Sequence, residues 1–131
     1  MKSRYKWGMT LVAGFAFGTF ANLALHAQGT KPPKVWIISE IEPVPGEAMS
    51  AATIKEIRDE ITKAHGTPLR TLRGLVVHLD GGDPPKAVAM NQFDSLDDAV
   101  TFNNSDAWKK SADERAKTGK LIRRYIVVAE P

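Results

Sequence analysis

Residues 34–42 read KVWIISEIE, a short run that is rich in β-branched and aromatic residues. Prolines flank it at residues 32–33 and 43–45. Such a run between proline-rich segments is typical of a β-strand. Side chains of a strand alternate between two faces, which here are Val35, Ile37, Ser39 and Ile41 against Trp36, Ile38 and Glu40. Both faces are largely apolar, which predicts a strand inside a sheet that is covered on both sides.

The first 27 residues have the features of a secretory signal peptide. A basic stretch, residues 1–6, precedes an uncharged apolar run at residues 7–25, and small residues follow. We expect cleavage after Ala27, with a cut after Ala24 as the alternative, and export to the periplasm or the extracellular space. An uncleaved membrane anchor is the other interpretation, because the run approaches the ~20 residues that span a bilayer. Residues 28–33 then form a short leader.

Charge and composition exclude several classes of function. The net charge of +3 falls to zero without residues 1–27, because three of the 18 basic residues and none of the 15 acidic ones lie there. No basic run with interleaved aromatic residues predicts nucleic-acid binding. The chain has no cysteine, which excludes disulfides and thiolate catalysis. No histidine spacing matches a metal site, and no glycine loop is suited to phosphates, so we expect no metal and no cofactor.

The next segment has helical periodicity. It opens at residues 45–47, and its apolar positions repeat every three or four residues: Ala51, Ile54, Ile57, Ile61 and Ala64. His65 and Gly66 close it, with Gly66 expected as a left-handed cap.

Three segments with strand patterns follow this helix. Residues 67–72 read as a strand that Pro68 restricts to a sheet edge or to a later start. Residues 75–79, LVVHL, read as its continuation after a bulge or turn. Residues 80–85, DGGDPP, predict a turn, and residues 86–93 return as a strand.

The C-terminal third predicts a helix and a last strand. Ser95, with Asp98 three residues on, resembles a capping box, and Leu96, Ala99 and Phe102 are expected to face inward. Ser105 is expected to cap a second helical segment over residues 106–118. Its buried candidates are Trp108 and Ala112. Residues 121–128 form the last strand.

The order strand, helix, strand, strand, helix, strand is the ferredoxin-like pattern of an α+β domain. Two helices cover one face of its four-stranded antiparallel sheet. The first and third strands are central in this topology, and both carry apolar residues on each face. We therefore expect a second copy of the chain to cover the open face, as a homodimer in the form of a dimeric α/β barrel.

Residues 34–131 resemble the DUF1330 family of small dimeric α/β-barrel proteins. The resemblance rests on residues 35–37 leading to Glu42, on residues 79–86, on residues 93–108 and on the closing RYIVVAE of residues 124–130. The exported leader, residues 25–33, also fits some members. The sequence departs from the family where an aromatic residue usually enters the second strand, and where Met49 replaces a tyrosine. The family's arginine is then Arg70 or Arg73.

The resemblance implies a small-ligand pocket by analogy with related barrels that include monooxygenases and isomerases. The residues themselves supply three catalytic candidates: His78 as a general base between sheet and helices, Glu40, and Asn91. Trp36, Arg70 and Tyr125 are the ligand-binding candidates. One of Arg123 and Arg124 is expected to pair with Glu40, and the other to be exposed.

Three functions stay open at this point. The first is an exported dimeric domain that binds a small apolar or aromatic ligand. The second is a cofactor-independent oxygenase or isomerase that uses His78 or Asn91 with Glu40. The third is a structural or partner-binding dimer without a pocket. No residue spacing identifies a reaction.

Overall fold

A computed structural model describes residues 31–70 and 74–130. Within these residues the strands are β1 (Val35–Pro43), β2 (Gly66–Arg70), β3 (Ala87–Phe93) and β4 (Gly119–Val128). The helices of the same residues are α1 (Ala51–Lys63), α2 (Leu96–Asn103), α3 (Asp106–Lys110) and α4 (Ala112–Thr118). The expected signal peptide and its cleavage site lie outside the described residues. Within the described part, no helix is long and apolar enough to cross a membrane.

The strands form one antiparallel sheet in the order β2-β3-β1-β4. With the helices inserted after β1 and after β3, this is the ferredoxin-like α+β fold that the sequence predicts. Strands β1 and β3 are central, and β2 is an edge strand, as Pro68 indicates.

The hydrophobic core lies between one face of the sheet and the helices. Val35 and Ile37 of β1 and Phe93 of β3 are almost fully buried. The helices contribute the rest of the core, Ile61, Ala64, Ala99 and Phe102, with Ile57 and Trp108 packed against it. Because strand residues alternate, Trp36, Ile38 and Glu40 point to the opposite face, which the core helices do not cover. We call this second surface the open face.

The first helix begins later than expected, and the residue in the left-handed conformation at its C-terminal end is not the expected one. Ser50, rather than residues 45–47, caps α1, and its hydroxyl accepts a hydrogen bond from the Thr53 amide at 3.2 Å. His65, not Gly66, is the left-handed residue, with φ of 53°. Gly66 instead opens β2, where a Cβ atom would lie 2.6 Å from Phe93 Cε1. Close packing, and not helix capping, therefore requires glycine there.

Residues 75–79 are not a strand, although their sequence pattern predicts one. They lie outside the sheet, and Leu75 and Leu79 are 82% and 90% exposed. The alternating pattern reflects β-propensity, which becomes a strand only where a neighbouring strand is present to pair with it.

The caps of the later helices are confirmed, but the second segment is divided. The hydroxyls of Ser95 and Ser105 accept hydrogen bonds from the Asp98 and Trp108 amides at 3.1 and 3.3 Å. The segment expected over residues 106–118 breaks at Ser111, whose hydroxyl donates to the Trp108 carbonyl at 2.8 Å.

Two side chains expected inside these helices are exposed. Leu96 is the first residue of α2, and burial in this helix begins one turn later, at Ala99. Ala112 is exposed because the division at Ser111 places it at the start of a new helix, α4.

Candidate functional site

Glu40 is a buried carboxylate on the open face. It lies near the middle of β1, directly opposite Arg123 of β4. Both Nε and Nη2 of Arg123 donate to Oε2 of Glu40, at 2.9 and 2.6 Å. The expected pairing of Glu40 with an arginine of the last strand is confirmed, and Arg123 is that arginine. The hydrogen bonds from Arg123 hold the pKa of Glu40 below its usual value.

Tyr125 supplies a third hydrogen bond to Glu40. Its hydroxyl donates to Oε1 at 3.1 Å, so both carboxylate oxygens have a donor. This bond to a carboxylate raises the pKa of Tyr125. The group therefore contains an ionised acid and a neutral phenol at neutral pH. It is suited to accept or orient a polar ligand group, and it is poorly suited to general-acid catalysis.

Apolar side chains share the open face with this polar group. Residues directly opposite one another in an antiparallel pair share a face. Trp36 and Ile38 of β1 therefore share the open face with Met90 of β3 and Val127 of β4. Trp36, Ile38 and Met90 are half-buried, and Val127 is 39% exposed. An apolar surface with a few convergent polar groups is the usual composition of a small-molecule site.

The candidate residues fall into three places. Glu40, Trp36 and Tyr125 share the open face. Asn91 lies opposite Ile37, so it points to the helix side of the sheet, away from Glu40. His78 lies in the exposed segment of residues 75–79, and its Nε2 is 3.3 Å from the Gly81 carbonyl oxygen. A single subunit therefore does not bring His78, Asn91 and Glu40 together.

Arg70 is the last residue of β2, opposite Met90. Its side chain lies outside the described part of the structure, as does Arg73.

Arg124 lies on the helix side of the sheet and is partly buried. The expectation that the arginine not paired with Glu40 is solvent-exposed is therefore wrong. Its Nη1 donates to Ser39 Oγ at 2.9 Å, and its Nε donates to Asn103 Oδ1 at 3.3 Å. Its Nη2 is buried and has no hydrogen-bond partner in the part of the chain that the structure describes. Burial, together with the nearby charge of Arg115, lowers the pKa of Arg124 to about 10.

Trp108 lies between Arg124 and Arg115. The two guanidinium carbons are 3.9 and 3.5 Å from the ring centroid. Two guanidinium groups so close to one centroid would overlap on the same face, so each occupies its own face of the indole. Arg115 also donates to Ser111 Oγ at 2.9 Å and to the Trp108 carbonyl at 3.1 Å. Cation–π contacts therefore stabilise both charges in part.

Sequence reasoning missed this cluster, although β1 contains a signal for it. Ser39 is a polar residue on an otherwise apolar, buried face. A buried hydroxyl requires a hydrogen-bond partner, and the neighbouring strand supplies it in Arg124.

Residues 31–70 and 74–130 contain no group of three or more His, Asp or Glu side chains that could hold a metal ion. In the described residues, the candidate polar sites are therefore the Glu40 group and the Arg124 cluster, and neither is joined by a metal-binding group.

Comparison with known proteins shows the fold and no activity. No family model and no curated protein matches the chain. A crystal structure of a protein of unknown function from Rhodopseudomonas palustris aligns with a TM-score of 0.53 at 11% identity, covering 85% of this chain and 92% of that chain. The same protein in methylated form aligns with a TM-score of 0.51 at 10% identity, over 85% of this chain and 90% of that one.

A third structure has a lower structural similarity, although its sequence identity is slightly higher. It is a protein from Bacteroides fragilis, described as dimeric, of unknown function and of ferredoxin-like fold. It aligns with a TM-score of 0.37 at 16% identity, covering 74% of this chain and 95% of that chain. At these identities the Rhodopseudomonas structures indicate a shared fold alone.

Proposed function

We propose that residues 34–131 form an exported DUF1330-type domain that dimerises through the open face and binds a small apolar or aromatic ligand there. The observation that carries this proposal is the composition of the open face. Trp36, Ile38 and Met90 lie on the same face as a carboxylate whose two oxygens already have donors from Arg123 and Tyr125. Apolar surface of this kind is stabilised when it is removed from water.

A second copy is the partner that we propose for this face. A twofold axis brings the same surface of each copy together, so apolar side chains meet apolar side chains. Glu40 is compatible with this burial, because Arg123 neutralises its charge within the same subunit. The space left around Glu40 and Tyr125 is where we propose that the ligand binds. The sequence pattern of residues 1–27, which predicts a signal peptide, supports the proposed export of the domain.

Ile38→Asp tests the assembly. Ile38 lies on the open face, whereas its neighbour Ile37 is 1% exposed in the core. We expect Ile38→Asp to give a folded monomer and the wild type to give a dimer, as measured by light scattering with circular dichroism. Ile37→Asp, the matched control, should unfold the domain instead. A folded Ile38→Asp dimer, or a monomeric wild type, would overturn the proposal.

Native mass spectrometry of the exported protein tests ligand binding and export. We expect a denatured mass that corresponds to cleavage after Ala27 and a native dimer that retains an additional small mass. Loss of that extra mass in a Trp36→Ala variant that remains dimeric would place the ligand on the open face. A clean dimer that also binds none of a panel of aromatic compounds would favour the structural-dimer alternative.

The enzyme alternative has less support from the geometry. Glu40 and Asn91 lie on opposite faces of the sheet, and His78 lies in an exposed segment. A reaction that uses them together requires the second subunit to supply one of them.

A further inference from the structure

The guanidinium of Arg124 has a carboxylate-binding edge that the protein leaves largely unused. Arginine binds a carboxylate side-on through Nε and Nη2. Arg123 uses this edge for Glu40, at 2.9 and 2.6 Å. In Arg124 the same edge has only the longer bond from Nε to Asn103 at 3.3 Å, and its Nη2 is unpartnered.

Among residues 31–70 and 74–130, no acidic side chain pairs with Arg124. The described residues provide it with a serine hydroxyl, an amide oxygen and an indole face, all of them uncharged. The nearest charge identified is that of Arg115, which is also cationic. A partly buried charge without a counter-ion is costly to the folded state, so proteins keep one chiefly where it acts on something.

We propose that Arg124 binds the carboxylate group of a small ligand through Nε and Nη2. Ser39 fixes the guanidinium by accepting from Nη1, and Trp108 holds its plane by stacking. The carboxylate replaces the side-chain amide of Asn103, which is exposed at the end of α2, so the body of the ligand extends past Asn103 towards solvent. The inference does not depend on the dimer, because Arg124 faces the helices and not the open face.

Two residues of β3 share the helix side of the sheet with Arg124. Ala89 lies directly opposite Ser39, and Asn91 lies two positions further along β3. Both remain half-buried although their strand is central in the sheet. Asn91 is therefore placed on the correct face to contact a ligand that Arg124 holds.

Calorimetric titration of the mature protein with sodium benzoate tests the inference, with benzamide as the neutral isostere. We expect benzoate to bind and benzamide not to bind. Arg124→Gln should weaken benzoate binding about tenfold or more, since a charge-assisted bidentate contact is lost. Arg58→Gln is the matched control. It makes the same substitution at an exposed arginine of α1, outside both candidate sites, and should leave benzoate affinity unchanged.

Asn103→Ala keeps the test decisive if Arg124→Gln does not fold. Removing the competing amide should strengthen benzoate binding several-fold. Absence of benzoate binding in both wild type and Asn103→Ala would overturn the inference. Equal binding by Arg124→Gln, or binding of inorganic phosphate but not of benzoate, would overturn it as well. None of these outcomes bears on the open-face dimer.

Discussion

Arg123 and Glu40 face each other across the β1–β4 pair, and two donors of the arginine, Nε and Nη2, converge on one carboxylate oxygen. The glutamate side chain is 9% exposed, whereas that of the arginine is 67% exposed. The negative charge of Glu40 is therefore buried on the open face, whereas its counter-ion, Arg123, is exposed to solvent. This arrangement makes the stability of the domain depend on pH.

The first prediction concerns this pH dependence. Because Arg123 lowers the pKa of Glu40 in the folded state, ionised Glu40 contributes stability above its unfolded pKa. That contribution is lost as the pH falls through the lower, folded value. We expect Glu40→Gln to be less stable than wild type at about pH 7, with the difference shrinking towards about pH 3. Urea unfolding at one protein concentration measures it.

Glu56→Gln, a substitution on the exposed side of α1, is the control for this series. Its free energy of unfolding should depend on pH as that of the wild type does. Three other carboxylates with a lowered pKa also contribute to the loss of stability in acid: Glu42, Asp98 and Glu114. A difference between Glu40→Gln and wild type that stays constant, or grows, at low pH would contradict the account.

The second prediction concerns the close approach at Gly66. A Cβ atom there would lie 2.6 Å from Phe93 Cε1 and 2.8 Å from Ile61 Cγ2, and both neighbours are buried in the core. Gly66→Ala should lower the free energy of unfolding by about 1–3 kcal/mol, because the core must shift to admit the methyl group. Chemical denaturation measures the change.

Gly82→Ala is the matched control, since nothing lies within 4 Å of a Cβ atom at that position. It should differ from wild type by no more than about 0.5 kcal/mol. Equal stability of the two alanine variants would show that the contact at Gly66 relaxes without cost.

The sequence predicts the fold because the periodicity of its elements agrees with their packing. The alternation in β1 and β3 and the serine caps at residues 95 and 105 are local signals, and each is present where it was expected. The segment of residues 75–79 has the same local signal without a partner strand in the sheet. The local sequence pattern indicates the secondary structure that a segment favours, and the segment forms a strand only where another strand pairs with it.

The sites were predictable only in part, for a related reason. Alternation places Trp36 and Glu40 on one face, and β4 then brings Arg123 and Tyr125 to it. Which of the adjacent arginines pairs with Glu40 depends on the β1–β4 register, which no composition pattern reveals. The Arg124 cluster depends also on where α3 places Trp108, a tertiary contact between distant parts of the chain.

The third prediction concerns the aromatic centre of the core. Phe102 is fully buried, and its ring centroid lies 5.4 Å from those of both Phe93 and Trp108. Phe102→Ala should cost about 3–5 kcal/mol, from lost burial and from the cavity that remains. Val100→Ala on the same helix, at a residue 42% exposed, should cost less than about 1 kcal/mol. Similar losses for both would place Phe102 outside the core.

The fourth prediction concerns Ser39 and Arg124, the bond that we infer orients the guanidinium. Ser39→Ala removes the acceptor of Nη1 and leaves a second guanidinium nitrogen without a partner, so it should cost about 1–3 kcal/mol in the free energy of unfolding. In an Arg124→Met background the same change should cost much less, because no buried donor remains to be satisfied. A double-mutant cycle by urea denaturation measures this coupling. If Ser39→Ala costs the same in both backgrounds, the serine stabilises β1 by packing alone, and it does not hold Arg124 in place.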